Sequence, residues 1–490
     1  MSAPRAALLL SLTLGACAVG PNFKRPAAPT DAGYGAAPTQ GETTAAAGVG
    51  GNAQRLREGM DIPADWWTLF GSAPLSQLIE QALKQNPDVN AAQAALRQAN
   101  ELYAAQRATL WPSLQGGFSA QRAKNALGTL ANPTSLPQVN PYYNLYTAQL
   151  SVSYLPDVFG GESRALEASK AQAEATRFQL EATYLTLSSN VVVTAVQEAS
   201  LRAQISATER LVQVQQQLSA TVSAQKGLGT ASQLDLLSQQ AAEAQTAATL
   251  PPLRKQLAQT RDALTALIGR LPAEEPTQTF RLEELTLPAE VPVSIPSKLI
   301  EQRPDVRQAE ANMHAASAAV GVAIADMLPQ FAISAQTGSA ALQISQLFTS
   351  YTGFWSAGAS LTQTLFDAGA LLHRKRAADA ALDQAGAQYR AAVILACQNV
   401  ADTLHALKAD ADTLAATVES ERAARSAFDI ARQQRTLGGI STVALLNAEQ
   451  TYQQAALAVV QARANRYADT AALFQALGGG WWNRPTGGSQ

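Results

Sequence analysis

The amino-acid sequence predicts a mainly α protein with a membrane β-barrel portion, built as two internal repeats. Each repeat holds two β-strands and long antiparallel helices. Three observations predict it. Residues 162–226 run for 65 positions without Gly or Pro, and Ala, Leu, Gln, Glu and Arg dominate them, so helix is the default conformation. A set of turn and cap landmarks occurs twice in the same order. Between those landmarks the hydrophobic period falls from helical to two.

Composition agrees with long, thin helical packing. Charged residues make up 15% of the 490 and aromatics 6%, the former well below the usual quarter. Hydrophobic residues reach 47%, and much of that is Ala. Such a chain suits helices with narrow seams wetted on more than one side. A net charge of −2 gives no electrostatic footprint for nucleic acid.

The N-terminus reads as an export signal over residues 1–16: Arg5, the apolar run Ala6 to Leu14, then Gly15-Ala16-Cys17. That small-residue site ending in Cys17 resembles a bacterial lipobox, which makes Cys17 the lipidated first residue. Ala18 after it resembles an outer-membrane address. The second cysteine, Cys397, sits in a helical run and reads as a small buried residue. No mature segment offers about 20 consecutive apolar residues, so a membrane span requires a closed barrel. Residues 17–60, rich in Ala, Gly, Pro and Thr, read as a flexible lipid-anchored arm. Asp65-Trp66-Trp67 through Phe70 opens the folded part, with the Trp pair as its anchor.

The repeat is displaced by 217 residues at one landmark and 209 at two others. Asn86-Pro87-Asp88-Val89 opens a helix ending at Leu110-Trp111-Pro112, and Arg303-Pro304-Asp305-Val306 opens one ending at Leu328-Pro329. Pro at the first helical position loses no bond, and the following Asp faces the positive end of the helix dipole. Leu228-Gly229-Thr230-Ala231-Ser232 recurs as Leu437-Gly438-Gly439-Ile440-Ser441, and Leu267-Ile268-Gly269 as Ala476-Leu477-Gly478. The first repeat is expected over 61–271, a Pro-rich link over 272–302, the second repeat over 303–480 and a tail over 481–490.

Each repeat then supplies two strands. Tyr146, Ala148, Leu150, Val152 and Tyr154 alternate with Thr147, Gln149, Ser151 and Ser153, while Trp355, Ala357, Ala359 and Leu361 alternate with Ser356, Gly358, Ser360 and Thr362. Shorter alternating runs follow each helix-ending proline. The expected strands are about 113–122, 144–155, 330–338 and 354–366, close to the length a tilted membrane strand needs. Four strands are too few for a barrel, for which about eight is the smallest workable number. Open edges are untenable in lipid, so the chain must oligomerise through its strands.

The helical hairpins are expected over 162–268 and 370–477. The returning arm and the Pro87 helix, stacked end to end, match the long helix at about 95 Å. Pro251-Pro252 predicts a kink or restart in the first repeat only. Heptad seams are read at Leu234, Leu237, Ala241, Ala244 and Ala248, and at Val443, Leu446, Gln450, Gln453, Leu457 and Val460. The six prolines from Pro272 to Pro304 read as an extended connection.

The exported Cys17 arm, Trp66-Trp67, the duplicated Pro-Asp-Val helices, the two strand pairs and the paired Leu-Gly-x-x-Ser turns resemble the TolC-like outer-membrane efflux ducts. The lipobox places the chain nearest their OprM-like (NodT-type) lipoprotein branch. The resemblance spans Cys17 to about Gly480, and Arg303-Pro304-Asp305-Val306 with Ala309-Glu310 is among its most specific motifs. It implies a homotrimer with a 12-stranded outer-membrane barrel and a periplasmic α-helical barrel. It also implies a periplasmic adaptor protein and an inner-membrane transporter of the proton-driven RND type.

In that family the hairpin tips are the gate and the adaptor-docking surface. Carried over, the docking positions are Leu228, Gly229, Ser232, Leu437, Gly438 and Ser441, which are also ordinary turn and cap residues. Gate candidates are Lys226, Asp235, Asp429, Arg432 and Arg435. Members often carry an acidic residue where this chain has Ile440, so an acidic constriction is not expected there. Small-molecule efflux is the expected function, with protein secretion as the alternative and a structural periplasmic coiled coil as the remote one. His314, His373 and His405 stand alone, and no P-loop, dinucleotide fingerprint or nucleophile elbow occurs. Neither an enzyme nor a metal site is expected, and no cofactor beyond the lipid on Cys17.

Overall fold

A computed structural model of the chain describes residues 18–27, 33–35, 37, 39–124 and 142–484. Cys17 and the signal segment lie outside the described residues. The order of elements is β1 (Gly41–Glu42), β2 (Arg55–Glu58), α1 (Ala73–Gln85), α2 (Pro87–Ala108), β3 (Ser113–Lys124), β4 (Tyr142–Tyr154), α3 (Gly161–Gly227), α4 (Gln233–Ala247) and α5 (Leu250–Leu267). There follow β5 (Glu290–Val293), α6 (Pro296–Gln302), α7 (Pro304–Ala325), β6 (Gln330–Ala341), β7 (Gly353–Thr362), α8 (Ala370–Thr436) and α9 (Thr442–Ala476). The duplication is metrical: α3 and α8 are both 67 residues long, and α2 and α7 both 22. Among the described residues no helix is long and apolar enough to cross a membrane.

The chain forms two compact units. The first takes residues up to Arg25, Leu96–Ala175 and Ala309–Gln388. Its centre is a four-stranded antiparallel sheet in the order β3-β4-β6-β7. The register sorts its two faces. Leu114, Val152, Ala335 and Ala357 form one cross-strand row, with Gly116, Leu150, Thr337 and Trp355 beside it. On the opposite face lie Ser113, Ser153, Ser334 and Gly358, then Gln115, Ser151, Gln336 and Ser356. An apolar face and a polar face, with Leu114, Phe118 and Trp355 all exposed, suit lipid on one side and water on the other. Strands β3 and β7 are the edges, each paired on one side only.

Strand β7 was expected to reach residue 366 but ends at Thr362. The cause is the turn into α8, where the Asp367 carboxylate accepts from Gly369 N and Leu371 N at 2.8 and 2.7 Å. The segment after Cys17 is also better held than its composition suggests. The buried Arg164 guanidinium donates to Val19 O at 3.1 Å and Asn22 Oδ1 at 2.7 Å, and it pairs with Glu167 at 2.7 Å. Phe23 stacks on His314 at 4.4 Å, and His314 Nε2 lies 2.8 Å from Glu167. His314 therefore has an acidic neighbour, across 147 positions of sequence, that its surroundings in the chain do not reveal.

The second unit takes Pro26–Ala95, Thr176–Gln308 and Tyr389–Gln490. Here the flexible-arm reading is corrected. Strand β2 is the centre of a three-stranded sheet, antiparallel to β1 and parallel to β5. Gln54 is fully buried, bonding Pro288 O and Thr470 Oγ1. The Pro-rich link is likewise more than an extended connection, since it supplies β5 and α6. Trp66 stacks on Phe474 at 5.3 Å with Phe70 edge-on, and both Trp66 and Phe70 are almost fully buried.

The tail begins as a docked element: Trp481 Nε1 donates to Gln302 O at 2.6 Å and Trp482 Nε1 to Asp61 at 3.0 Å. The proline pair is a restart. Helix α4 stops at Ala247, and α5 starts at Leu250 with Pro251 and Pro252 in its first turn, where missing N–H groups go unnoticed.

The same joint is made twice with different chemistry. Asn86 caps α2, its Oδ1 accepting from Asp88 N at 2.8 Å, and its Nδ2 donates to Leu267 O at 2.9 Å at the end of α5. In the second repeat Arg303 donates to Ala476 O at 2.9 Å at the end of α9 and grips Asp305 with two bonds of 3.0 and 2.7 Å. Gly269 and Gly478 permit the approach: both have φ near +75 to +96°, and a Cβ on either would meet the Gln85 or Gln302 carbonyl at 2.6 or 2.5 Å.

The heptad seams are corrected in phase. Leu234, Leu237 and Val443 are 75%, 52% and 62% exposed. The buried line is Leu236, Gln239 and Thr246 on α4, and Thr442, Leu445, Glu449, Val459, Ala462 and Arg466 on α9. A reading by apolar character misses a seam that buries Gln239, Glu449 and Arg466 along with its apolar residues.

We expect Arg303→Ala to destabilise the chain by about 2–3 kcal/mol, because it strips charge-assisted bonds from a buried joint. Asn86→Ala should lose about 1–2 kcal/mol through the cap and the bared Leu267 carbonyl. Thermal unfolding of the purified variants measures both.

Candidate docking tips and gate

Both helix-to-helix turns lie in the second unit. At the first, α3 ends at Gly227 and Gly229 takes φ +74°. Thr230 N then reaches back to Gln225 O at 2.9 Å and Gly229 N to Lys226 O at 3.0 Å. At the second, Gly438 takes φ +76°, Gly439 N bonds Gln434 O at 2.8 Å and Gly438 N bonds Arg435 O at 3.1 Å. This is one left-handed glycine C-cap built twice. The leucine before each glycine is left in solvent: Leu228 is 81% exposed and Leu437 86%.

The helices restart on Ser232 and Ser441. Ser232 Oγ accepts from Asp235 N at 3.0 Å while Asp235 Oδ2 accepts from Ser232 N at 3.0 Å, a complete capping box. Ser441 Oγ accepts from Ala444 N at 3.2 Å, and with Ala444 at the third position no carboxylate completes the box. The six candidate docking positions therefore form two exposed points of one shape, each an apolar leucine on a backbone that only glycine adopts without strain.

Of the five gate candidates the structure brings two together. The Thr442 hydroxyl, the Ser232 hydroxyl and backbone, and then the Arg435 charge hold Asp235 down at about 2. Arg435 also donates to Ile440 O at 3.5 Å. Asp235 belongs to the first hairpin and Arg435 to the second, so their attraction acts between hairpins. Lys226, Asp429 and Arg432 are exposed, with no ion-pair partner among the described residues.

Beneath the turns the hairpins share a contact that the sequence reading did not identify. Phe428, Ala431 and Leu445 form a buried cluster, with Val214 and Leu218 of α3, Ile440 and Tyr452 packed on it. The Phe428 and Tyr452 rings stack at 5.8 Å, 8° from parallel. Ile440 therefore turns partly inward as packing. The signal was present: Thr442, Leu445, Glu449 and Tyr452 recur at spacings of three and four, but two of the four are polar or charged.

A sequence model described as outer membrane efflux protein matches residues 78–270 and 295–479. The chain is 30% identical over 485 residues to the pyoverdine export outer membrane protein OpmQ of Pseudomonas putida, covering 98% of each. It is 28% identical over 482 residues to the toluene efflux pump outer membrane protein TtgF of Pseudomonas putida, covering 97% of this chain and 96% of that one. Among solved structures it resembles the outer-membrane channel OprN with a TM-score of 0.84 at 27% identity, covering 95% of this chain and all of that one. The Campylobacter jejuni CmeC outer membrane channel shares the fold at a TM-score of 0.84 and 23% identity, with 95% of each chain covered. Both repeats fall inside these matches, and the chain belongs to the outer membrane efflux protein family.

Proposed function

We propose that this chain is the exit duct of a tripartite efflux pump, working as a homotrimer. The observation that carries this is the four-stranded sheet of two-faced chemistry with both edges open. Three copies joined β3 to β7 make a closed barrel of twelve strands and leave no edge. The hairpins of three copies continue as a helical tunnel in the periplasm. Cys17, once lipidated, anchors the arm in the outer membrane. No other cofactor is needed, because transport energy enters at the inner-membrane transporter, here proposed to be of the proton-driven RND type.

The two leucine-glycine points are the proposed docking surface for the periplasmic adaptor. Leu228 and Leu437 offer apolar side chains, and Gly229 and Gly438 have nothing within 4 Å of a notional Cβ. A partner helix can approach the backbone there. Asp235 and Arg435 are proposed to tie the hairpins at rest, and adaptor contact spreads them. The named cargoes of the relatives, pyoverdine and toluene, favour small molecules as what passes.

Mass measurement of the detergent-solubilised protein should give three chains, with small conductance in a planar bilayer. A monomer that conducts nothing would defeat the barrel. Gly229→Leu or Gly438→Leu forces a left-handed conformation at about 1–2 kcal/mol and blocks the approach. Each should reduce cellular efflux while trimers still insert, and normal pumping by both would remove the docking assignment. The Asp235 carboxylate contributes fully above its unperturbed value of 3.8, and the contribution disappears as pH falls through about 2. Asp235→Asn should therefore speed amide exchange at the first tip at neutral pH and make little difference near pH 2.

A further inference from the structure

The seam between the hairpins holds one ionisable group that neither the turns nor the exposed charges explain. Glu449, two turns into α9, is 1% exposed, and neither carboxylate oxygen has a hydrogen-bond partner among the described residues. Leu445 of the buried cluster lies one turn before it, and Tyr452, stacked on Phe428, one turn after. The polar group alongside is the amide of Gln215 on α3, itself 4% exposed with Oε1 unbonded. Gln239 on α4 is fully buried with both amide atoms unbonded.

An ionised carboxylate is not sustained in such a place without a partner. A protonated one is, because it carries no charge to strip of water. Charged groups on the neighbouring turns of the elements that meet here are Glu209, Arg210 and Lys226 on α3, Asp235 and Glu243 on α4, and Glu421, Arg422, Arg425, Asp429, Arg432 and Arg435 on α8. None of them acts on the Glu449 carboxyl; burial raises it, and the Gln215 amide pulls the other way.

We propose that Glu449 is a proton-dependent latch between the two hairpins: neutral, it lets α3 and α9 close on each other; ionised, it drives them apart. The proposal rests on the reading of these tips as the gate. In the packed seam, burial pushes the carboxyl from 4.5 to about 7. A group raised in one state favours that state at low pH, so the closed seam is fully supported below about 4.5. It loses that support as pH rises through about 7. On opening, water reaches the carboxyl and takes the proton. The ratio of separated to closed tips should rise about 20-fold between pH 5.5 and 7.5, the effect of that shift on a two-state equilibrium.

The test is the distance between spin labels at Thr230→Cys and Gln434→Cys in the full-length solubilised protein, with Cys397→Ser as background. The separated population should grow with pH in the parent and stay flat and small in Glu449→Gln, which keeps the neutral shape. Gln215→Leu removes the polar neighbour but keeps the carboxyl, and its separation midpoint should move to higher pH. A parent whose tips do not respond to pH, or a Glu449→Gln variant that responds as the parent does, overturns the latch. The distances need no transport, so a pH-dependent separation lost in Glu449→Gln supports the latch even where bilayer conductance is absent. Such an absence counts against the duct alone.

Discussion

A backbone N–H or C=O left unpaired in lipid costs several kcal/mol, and the sheet β3-β4-β6-β7 leaves two such rows. Everything else in the chain can be understood as accommodating that constraint. The register in which Leu114, Val152, Ala335 and Ala357 share one face is useful only where that face meets lipid. The opposite row of Ser and Gln is useful only where it meets water. A sheet with those faces cannot fold back on itself, because it would bury the polar row. In the proposed duct it closes by meeting copies of itself, and duplication of a two-strand unit within one chain lowers the number of copies required.

Duplication also explains what must be kept and what can vary. The joint between a returning helix and the start of the next one needs a donor for the last carbonyl and a glycine where the backbones touch. Asn86 and Arg303 supply the donor by different chemistry, and Gly269 and Gly478 supply the space. The tips need a left-handed residue and a cap, and both have them, yet only Ser232 gains a reciprocal carboxylate. The halves are therefore equivalent in geometry and different in strength.

The fold was legible in the sequence wherever one residue type has one conformational use. Gly229 and Gly438 mark the turns, Pro87 and Pro304 the helix starts, and the alternation through Leu150 and Trp355 the strands. The two turns of the candidate site were legible at the same level. What stayed hidden depends on partners distant in sequence. Gln54 and Arg55 look like linker until β5 arrives more than 230 positions later to pair beside them. Arg164 organises Val19 to Asn22 from 142 positions away. The seam was misphased, by two residues on α4 and by one on α9, because Leu234 and Val443 are apolar but face outward, while Gln239 and Glu449 are polar but face inward.

That misphasing has a physical meaning. A seam of leucines would bind the hairpins firmly, since each fully buried Leu contributes about 1.5–3 kcal/mol. Such a seam would have to be broken at every opening. In the proposed gate, buried Gln215, Gln239 and Glu449 lower that barrier, because each regains water when the helices part and is short of partners while they stay together. The stacked Phe428 and Tyr452, with Leu445 beneath them, keep the register while the polar positions keep the contact weak. The proposed gate in a wall of helices needs both properties at once, and the seam below the tips combines them.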